Sequence, residues 1–433
     1  MIMRIVVEPG SYGCHNMGDV AMMQIAVARL RELWPHAEIA VLTSRPDLLS
    51  RYCPSAFPVS VEARNAWLSG RSLITSFCQN LPGRISAPLQ RLERWLWLRF
   101  PVVTELEVCF KAAVLRRANP TPARFRKQLT DAGLVVMSGA GALNDAFADS
   151  ACPLLDEIEF VLQAGVPVVA FGRGIGPITE PALLAKARAV LPRLKLIGLR
   201  EGIAGLPFLE SLGVPRDRIY ITGDDAIELA HRHRPSLIGN AIGVNLRLAG
   251  YAGTGEDMVG KLRGPLMFAA KALNSFLLSV PISFHESDSD VDATRKLLDG
   301  ESHSSQATIE SPEDVIRLIG NCRVVVTGSY HGGVFALAQG IPVVGLVHSR
   351  YYEQKFAGLQ EQFPGGCHIL DFRRPITSGE IQKTILDAWD SAGQVKESLL
   401  TAANHQIELS RAAYKTARCL FPPEDDVTET ASR

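Results

Sequence analysis

Val324-Val325-Val326-Thr327-Gly328-Ser329-Tyr330-His331-Gly332-Gly333-Val334-Phe335-Ala336-Leu337-Ala338-Gln339-Gly340-Ile341-Pro342-Val343-Val344 reads as a buried strand, a tight turn, a short helix and a second buried strand. The first apolar run, Val324 to Val326, is short and β-branched, as a parallel strand covered on both faces should be. Gly328, Gly332 and Gly333 let the backbone approach a ligand closely or take a positive φ. The spacing predicts a helix over Val334–Gln339, ended by Gly340 and kept from continuing by Pro342. A strand leading through a loop into a helix N-terminus puts free N–H groups and a positive dipole end at the carboxyl edge of a sheet, which suits an anion. His331 is expected in that loop, either as an accessible, positioned acid/base group or as a cap on the helix.

The same theme recurs along the chain. Ile5–Val7 is a buried strand that feeds Pro9-Gly10-Ser11-Tyr12-Gly13-Cys14-His15-Asn16-Met17-Gly18-Asp19. A helix follows, roughly Val20–Trp34, and then a second strand, Ala37–Leu42, which makes a βαβ opening. The Gly-rich loop is neither GxGxxG nor a Walker A. Asn16 and Asp19 are turn and cap formers, so a structural reading stands beside a functional one. Further strands end in Ser138-Gly139-Ala140-Gly141, Gly172-Arg173-Gly174-Ile175-Gly176-Pro177, Leu199-Arg200-Glu201 and Thr222-Gly223-Asp224. Side by side, such loops line one edge of a parallel sheet. The polar run His231–Pro235 marks a link to a second domain, which opens with Ala241-Ile242-Gly243-Val244-Asn245-Leu246-Arg247. Arg247, at a strand's carboxyl end, either grips carboxylate or phosphate by paired bonds or makes a surface ion pair. Pro281-Ile282-Ser283-Phe284-His285 forms another such strand end. Tyr351 to Lys355 follow the strand after Pro342, and two amphipathic helices are expected at about Ser378–Ala392 and Val395–Ala417.

The fold class is therefore α/β, with two Rossmann-like domains. The boundaries are 1–235 and 236–420, with a helical insertion at about 61–128 and a disordered tail at 421–433. At 433 residues the chain exceeds one ordinary core. Lys+Arg and Asp+Glu are both 45, so nothing in the net charge points to nucleic acid as a partner. The eight Cys are scattered without a CxxC pair, which argues against a zinc site and fits a reducing cytoplasm. No apolar run is long enough to span a bilayer. The insertion is rich in Arg, and Trp95 and Trp97 lie in an amphipathic stretch. That stretch either packs on the domain or touches an anionic membrane surface.

Taken in order, Asn16-Met17-Gly18-Asp19, Ser138-Gly139-Ala140-Gly141, Gly174-Ile175-Gly176-Pro177, Leu199-Arg200-Glu201, Thr222-Gly223-Asp224, Gly243–Arg247 and the His331 stretch with Gly340-Ile341-Pro342 resemble the polysaccharide pyruvyl transferase family. The resemblance runs from about residue 5 to 360. It implies two Rossmann-type domains facing across a cleft, as in the glycosyltransferase-B class. It also implies a reaction that moves the enolpyruvyl carbons of phosphoenolpyruvate onto two sugar hydroxyls as a cyclic ketal, in cell-surface or extracellular polysaccharide synthesis. On that reading His331 is the general acid/base, and Arg247 binds the anionic donor and balances charge. Asn16, Asp19 and the Gly139–Gly141 loop hold the acceptor from the first domain, and His285, Tyr330 and Gly332 complete the binding surface. No metal or cofactor is implied beyond phosphoenolpyruvate as co-substrate. The acceptor is a saccharide, free or lipid-linked, and the location is cytoplasmic or the inner face of the membrane.

The family's usual Arg-Leu-His stands here as Ser329-Tyr330-His331, so only the His carries over. Arg247, Arg173, Lys355 or Arg350 are candidates to replace the missing cation. Two other readings stay open. His331-Gly332-Gly333 with Gly340-Ile341-Pro342 also resembles the donor-site stretch of nucleotide-sugar glycosyltransferases, with Glu353 the nearest acid for a ribose. A non-catalytic saccharide-binding relative is the third, with Ser329 as its support.

Overall fold

The computed structural model describes residues 2–68, 89, 92, 100, 122–247, 257–285, 289–298 and 309–422. The expected Trp95–Trp97 amphipathic stretch lies outside them, as does the expected tail beyond Pro422. Phe421, placed in that tail, is held, because its carbonyl accepts a bond from Trp34 Nε1 at 3.0 Å.

Short β-branched runs form the strands, and every pairing among them is parallel. β1 (Arg4–Glu8), β2 (Glu38–Thr43), β3 (Phe57–Ser60), β4 (Leu134–Ser138), β5 (Val168–Arg173), β6 (Leu196–Leu199) and β7 (Ile219–Ile221) make a seven-stranded sheet. Its order is β3-β2-β1-β4-β5-β6-β7. β8 (Ala241–Asn245), β9 (Phe276–Ser279), β10 (Cys322–Thr327), β11 (Val343–Val347) and β12 (Cys367–Asp371) make a five-stranded sheet of order β12-β11-β10-β8-β9. In each sheet the order reverses once in the interior: between β1 and β4 in the first, and between β8 and β10 in the second. A parallel sheet opens its ligand crevice where neighbouring crossovers leave in opposite directions, at the strands' carboxyl ends. The loops after β1, β4, β8 and β10 therefore sit at the two crevices.

The helix Met17–Leu33 joins the two halves. Asn16 caps it, its Oδ1 accepting from Gly18 N at 2.9 Å and Asp19 N at 3.3 Å. This cap starts the helix three residues before the expected Val20. Met17, Ala21, Met22 and Ile25 on this helix share one buried cluster with Leu278, Val280 and Phe335 of the second sheet's side. Backbone bonds add a stitch, with Met17 N donating to Ile282 O at 2.9 Å and Phe284 N to His15 O at 2.8 Å.

A single helix, Ser378–Leu420, replaces the two expected near the end of the chain. Gly393 falls between the two expected spans, but a lone glycine costs a helix only about 1 kcal/mol. Here packing on both sides outweighs that cost: Ile385 and Trp389 join the second sheet's core, and Ala413, Tyr414 and Ala417 join the first's. At ~1.5 Å per residue the helix runs on the order of 60 Å, from one half to the other.

Its far end is fixed by a buried ionic cluster. Arg29 Nη1 donates to Asp225 Oδ1 and to Ser410 Oγ, both at 2.7 Å, and Arg29 Nε to Glu228 Oε2 at 3.0 Å. Tyr414 donates to Asp225 Oδ2 at 2.8 Å and stacks on Phe171. Burial pushes the Glu228 carboxyl up, but the Arg411 hydrogen bond and the charges of Arg29 and Arg232 outweigh it and bring the carboxyl down to about 2. A carboxylate whose folded pKa is depressed adds stability above its unfolded value. That stability is lost as pH falls from about 4.5 toward 2. Glu228→Gln is expected to flatten this acid limb, by on the order of 3 kcal/mol across the window. Urea unfolding of both proteins as a function of pH measures it, and parallel curves would count against the assignment.

Candidate active site

The loops of the two sheets enclose a cavity of about 690 Å³ between them. The first half contributes Asn16 and Asp19 from the capped helix start, Gly141 from the loop after β4 and Arg200 from the end of β6. The second half contributes Arg247, His285, Ser329, Tyr330, His331 and Lys355. Most residues singled out from the sequence thus converge, and Asn16 is both a cap and part of the wall.

His331 does not lie in a loop. The helix starts at Tyr330 and runs to Ala338, with Ser329 at the cap position making no side-chain cap bond. Gly332 and Gly333 serve close packing instead of loop freedom. A Cβ on Gly332 would stand 2.5 Å from Thr327 Oγ1, and one on Gly333 2.9 Å from Leu359 Cδ1. Gly332 is therefore not part of the cavity wall. The His331 ring lies in the first helical turn, only 7% exposed, and faces Gly18 across the cleft. Its Nε2 is 3.7 Å from Asp224 Oδ2, and neither atom has a hydrogen-bond partner.

Two further residues named from the sequence lie outside the cavity wall. Gly139 takes φ +60° and backs onto Met22, since a Cβ there would meet the sulfur at 2.8 Å. Arg173 is fully buried behind the Gly10 loop, and its Nη1 reaches Ser138 O at 3.5 Å. Burial, with the charge of Arg200 adding to it against the pull of Glu8, lowers the Arg173 guanidinium to about 10. It is too enclosed to receive a donor. Arg350 is exposed, and Glu353 is half-buried and paired with Arg373 at 2.6 Å; neither lines the cavity.

Arg247 makes no surface ion pair. It is 5% exposed, with Nε donating to Asp290 Oδ1 at 2.8 Å. Asp290 is fully buried, and its Oδ2 also accepts from Asn245 Nδ2 at 2.7 Å and from Ile282 N and Ser283 N at 2.9 Å. This clamp fixes the guanidinium at the cavity rim. His285 lies beside His15, ring edge to face at 5.3 Å.

The densest charge sits at Tyr330. Arg200 places its guanidinium 4.8 Å from the Tyr330 ring centroid, and Lys355 Nζ lies 5.3 Å from the same ring and 4.0 Å from Tyr351. Such cation–π contacts hold charge without neutralising it. Arg200 Nη1 is 3.3 Å from Asp224 Oδ2, yet none of the three guanidinium nitrogens has a hydrogen-bond partner. Burial, and then the charge of Arg200, push the Lys355 ammonium well below its ordinary value. Around Gly141, a Cβ would lie 3.2 Å from Arg200 Nη2, 3.2 Å from the Tyr351 hydroxyl and 3.3 Å from Lys355 Nζ. Glycine leaves open a pocket where two cations converge beside the Tyr351 hydroxyl, which donates to Gly141 O at 3.0 Å.

Arg200, Asp224 and Asp290 carry this site, and the sequence reading gave none of them a role. Arg200 and Asp224 each follow a short apolar strand, the same signal that singled out Arg247. Asp290 offered no signal beyond a helix start.

A family model for polysaccharide pyruvyl transferase matches residues 16–350. No curated protein sequence matches the chain. Among solved structures, UDP-GlcNAc 2-epimerase from Neisseria meningitidis bound to UDP-GlcNAc superposes with a TM-score of 0.54 at 11% identity, over 97% of this chain and 100% of that one. A Listeria monocytogenes protein assigned as a UDP-N-acetylglucosamine 2-epimerase gives 0.55 at 10% identity, over 93% and 94%. A kitacinnamycin glycosyltransferase gives 0.50 at 11%, over 96% and 99%. At these identities the likeness concerns the fold, which is of the glycosyltransferase-B type.

Proposed function

Because the chain belongs to the polysaccharide pyruvyl transferase family, we propose that this transferase moves the enolpyruvyl carbons of phosphoenolpyruvate onto two hydroxyls of a saccharide, forming a cyclic ketal and releasing phosphate. The observation that carries the proposal is the Arg200–Lys355 pair beside Tyr330: a buried guanidinium whose nitrogens make no hydrogen bond, and a half-buried ammonium over the same ring. A buried guanidinium whose donors are left without hydrogen bonds is costly even with a carboxylate nearby, and an anion that enters relieves the cost. Phosphoenolpyruvate brings both a phosphate and a carboxylate. Arg200 also answers the departure at Ser329, because the cation arrives from the opposite half of the molecule.

Ketal formation needs a proton at the enol CH2 carbon and the removal of one proton from each attacking hydroxyl. The first hydroxyl adds to the carbon that bears the phosphate, and the second displaces phosphate. His331 lies in the cavity beside the cations and serves as the acid/base group. Arg247, fixed by Asp290, offsets the negative charge of the phosphate as it leaves. Asn16, Asp19 and the open face at Gly141 receive the saccharide. No helix among the described residues is long and apolar enough to cross a membrane. Phosphoenolpyruvate is a cytoplasmic metabolite, so the reading carries a cytoplasmic location with it. A lipid-linked acceptor would bring the enzyme to the membrane face.

Calorimetric titration tests the donor. Saturable phosphoenolpyruvate binding is expected, weakened about tenfold or more in Arg200→Ala, the loss typical of a charged hydrogen bond. Binding of UDP- or GDP-sugars alone would replace this reading with glycosyl transfer. Binding of none of them, with or without oligosaccharide, would favour a non-catalytic saccharide-binding protein.

A further inference from the structure

We infer that Asp224 is the positioning residue for His331, and that the acid/base group is completed only across the junction of the two halves. His331 stands on the helix after β10, in the second half, while Asp224 stands on the loop after β7, in the first. Both are buried, at 7% and 2% exposure. Nε2 faces Oδ2 at 3.7 Å, and each atom lacks any hydrogen-bond partner. A shift of about half an ångström brings the pair into bonding range. The other carboxylate oxygen is already anchored, accepting from Ala226 N at 2.9 Å, so Asp224 cannot turn away.

With Nε2–H directed at the carboxylate, Nδ1 is the nitrogen left to take up or give the substrate proton. The carboxylate then fixes the tautomer and stabilises the imidazolium when it forms. Arg200 Nη1, 3.3 Å from the same oxygen, keeps Asp224 ionised. Burial opposes ionisation of Asp224, but His331 and Arg200 outweigh it and hold the carboxyl below its ordinary value. The other charged and titratable groups that line the cavity with His331 are Tyr12, His15, Asp19, Glu62, Arg247, His285, Tyr330, Tyr351, Tyr352 and Lys355. Among the described residues, Asp224 is the one carboxylate with an oxygen within 4 Å of a His331 ring nitrogen. The loop that carries it is braced from behind, because the next residue, Asp225, is held by Arg29, Ser410 and Tyr414.

This inference rests on His331 being the acid/base group of the proposed transfer, and its test needs no substrate. Nitrogen NMR of the full chain labelled with 15N-histidine, with His331 identified by difference against His331→Gln, reads the tautomer directly. In the unaltered protein neutral His331 is expected as the Nε2–H tautomer. In Asp224→Asn that preference is expected to weaken, with the Nδ1–H form appearing, since an amide can donate as well as accept. An Nδ1–H tautomer in the unaltered protein would overturn the inference even if the variant failed to fold, and so would an unchanged tautomer in a folded variant. If the tautomer and its change are found but phosphoenolpyruvate does not bind, the positioning stands and the proposed reaction falls. If the donor binds and the tautomer does not change, the reverse holds.

Discussion

Gly18→Ala is expected to abolish turnover, lowering phosphate release from phosphoenolpyruvate by at least about a hundredfold, the scale of a lost acid/base group. The position is the second residue of a helix, where alanine is ordinarily no worse than glycine. Here the sign reverses. A Cβ on Gly18 would stand 1.9 Å from His331 Cγ, 2.2 Å from Nδ1 and 2.5 Å from His331 Cβ. No rotamer adjustment of a few tenths of an ångström relieves that overlap. His331 must leave its seat, which separates it from Asp224, or the two halves must part. Overpacking of this kind costs about 1–3 kcal/mol, so the protein should fold with a lowered unfolding temperature. Calorimetry and a phosphate-release assay together check it. Full activity in a folded Gly18→Ala protein would mean that His331 works from another position.

Asp290→Ala should be the most destabilising single change at the site, at about 3–5 kcal/mol, the usual cost of stripping a buried charge of its partner. The carboxylate accepts from Arg247 Nε, Asn245 Nδ2, Ile282 N and Ser283 N, all at 2.7–2.9 Å and all in the interior. Truncation leaves these donors facing a void. The damage spreads to the junction, because Ile282 O is the acceptor for Met17 N and Ser283 is bridged to Asn16. Asp290→Asn keeps the shape but turns an NH2 group toward donors, so an intermediate loss is expected. Urea unfolding separates the two. A loss below about 1 kcal/mol for the alanine variant would show that Arg247 is satisfied without the clamp.

Much of the fold was legible because its strands are short, β-branched and bounded by glycines, a pattern that fits only buried parallel strands. The charged residue after such a strand marked Arg247 correctly as a cavity residue. The same rule, applied evenly, would have reached Arg200 and Asp224. What a linear reading could not supply was the partner across the cleft. Gly18 looked like a loop glycine, yet its missing side chain is the seat of a ring 313 positions later. Gly332 and Gly333 argued for a loop at His331. Contacts with Thr327 and Leu359 require glycine there within a helix, and packing overrode propensity. Arg173 carried the same strand-end signal as Arg247 but turned under the Gly10 loop, because strand-end position does not decide which way a long side chain goes.

The helix Ser378–Leu420 also bears on how the molecule is made. Ribosomal synthesis delivers residues in order, and a domain ordinarily folds once its own segment has emerged. Here Ala413, Tyr414 and Ala417 belong to the same core cluster as Ile5, Val7 and Val169. The first sheet therefore waits, with part of one face uncovered beside the Met17–Leu33 helix, through the synthesis of the whole second sheet. During that interval its bare surface is a target for chaperones and a hazard for aggregation. Nascent chains stopped after residue 235 and after residue 422 should differ sharply in protease resistance of the first sheet. Completion of the second half is then a checkpoint: the Asp224 loop is locked only when Tyr414 arrives.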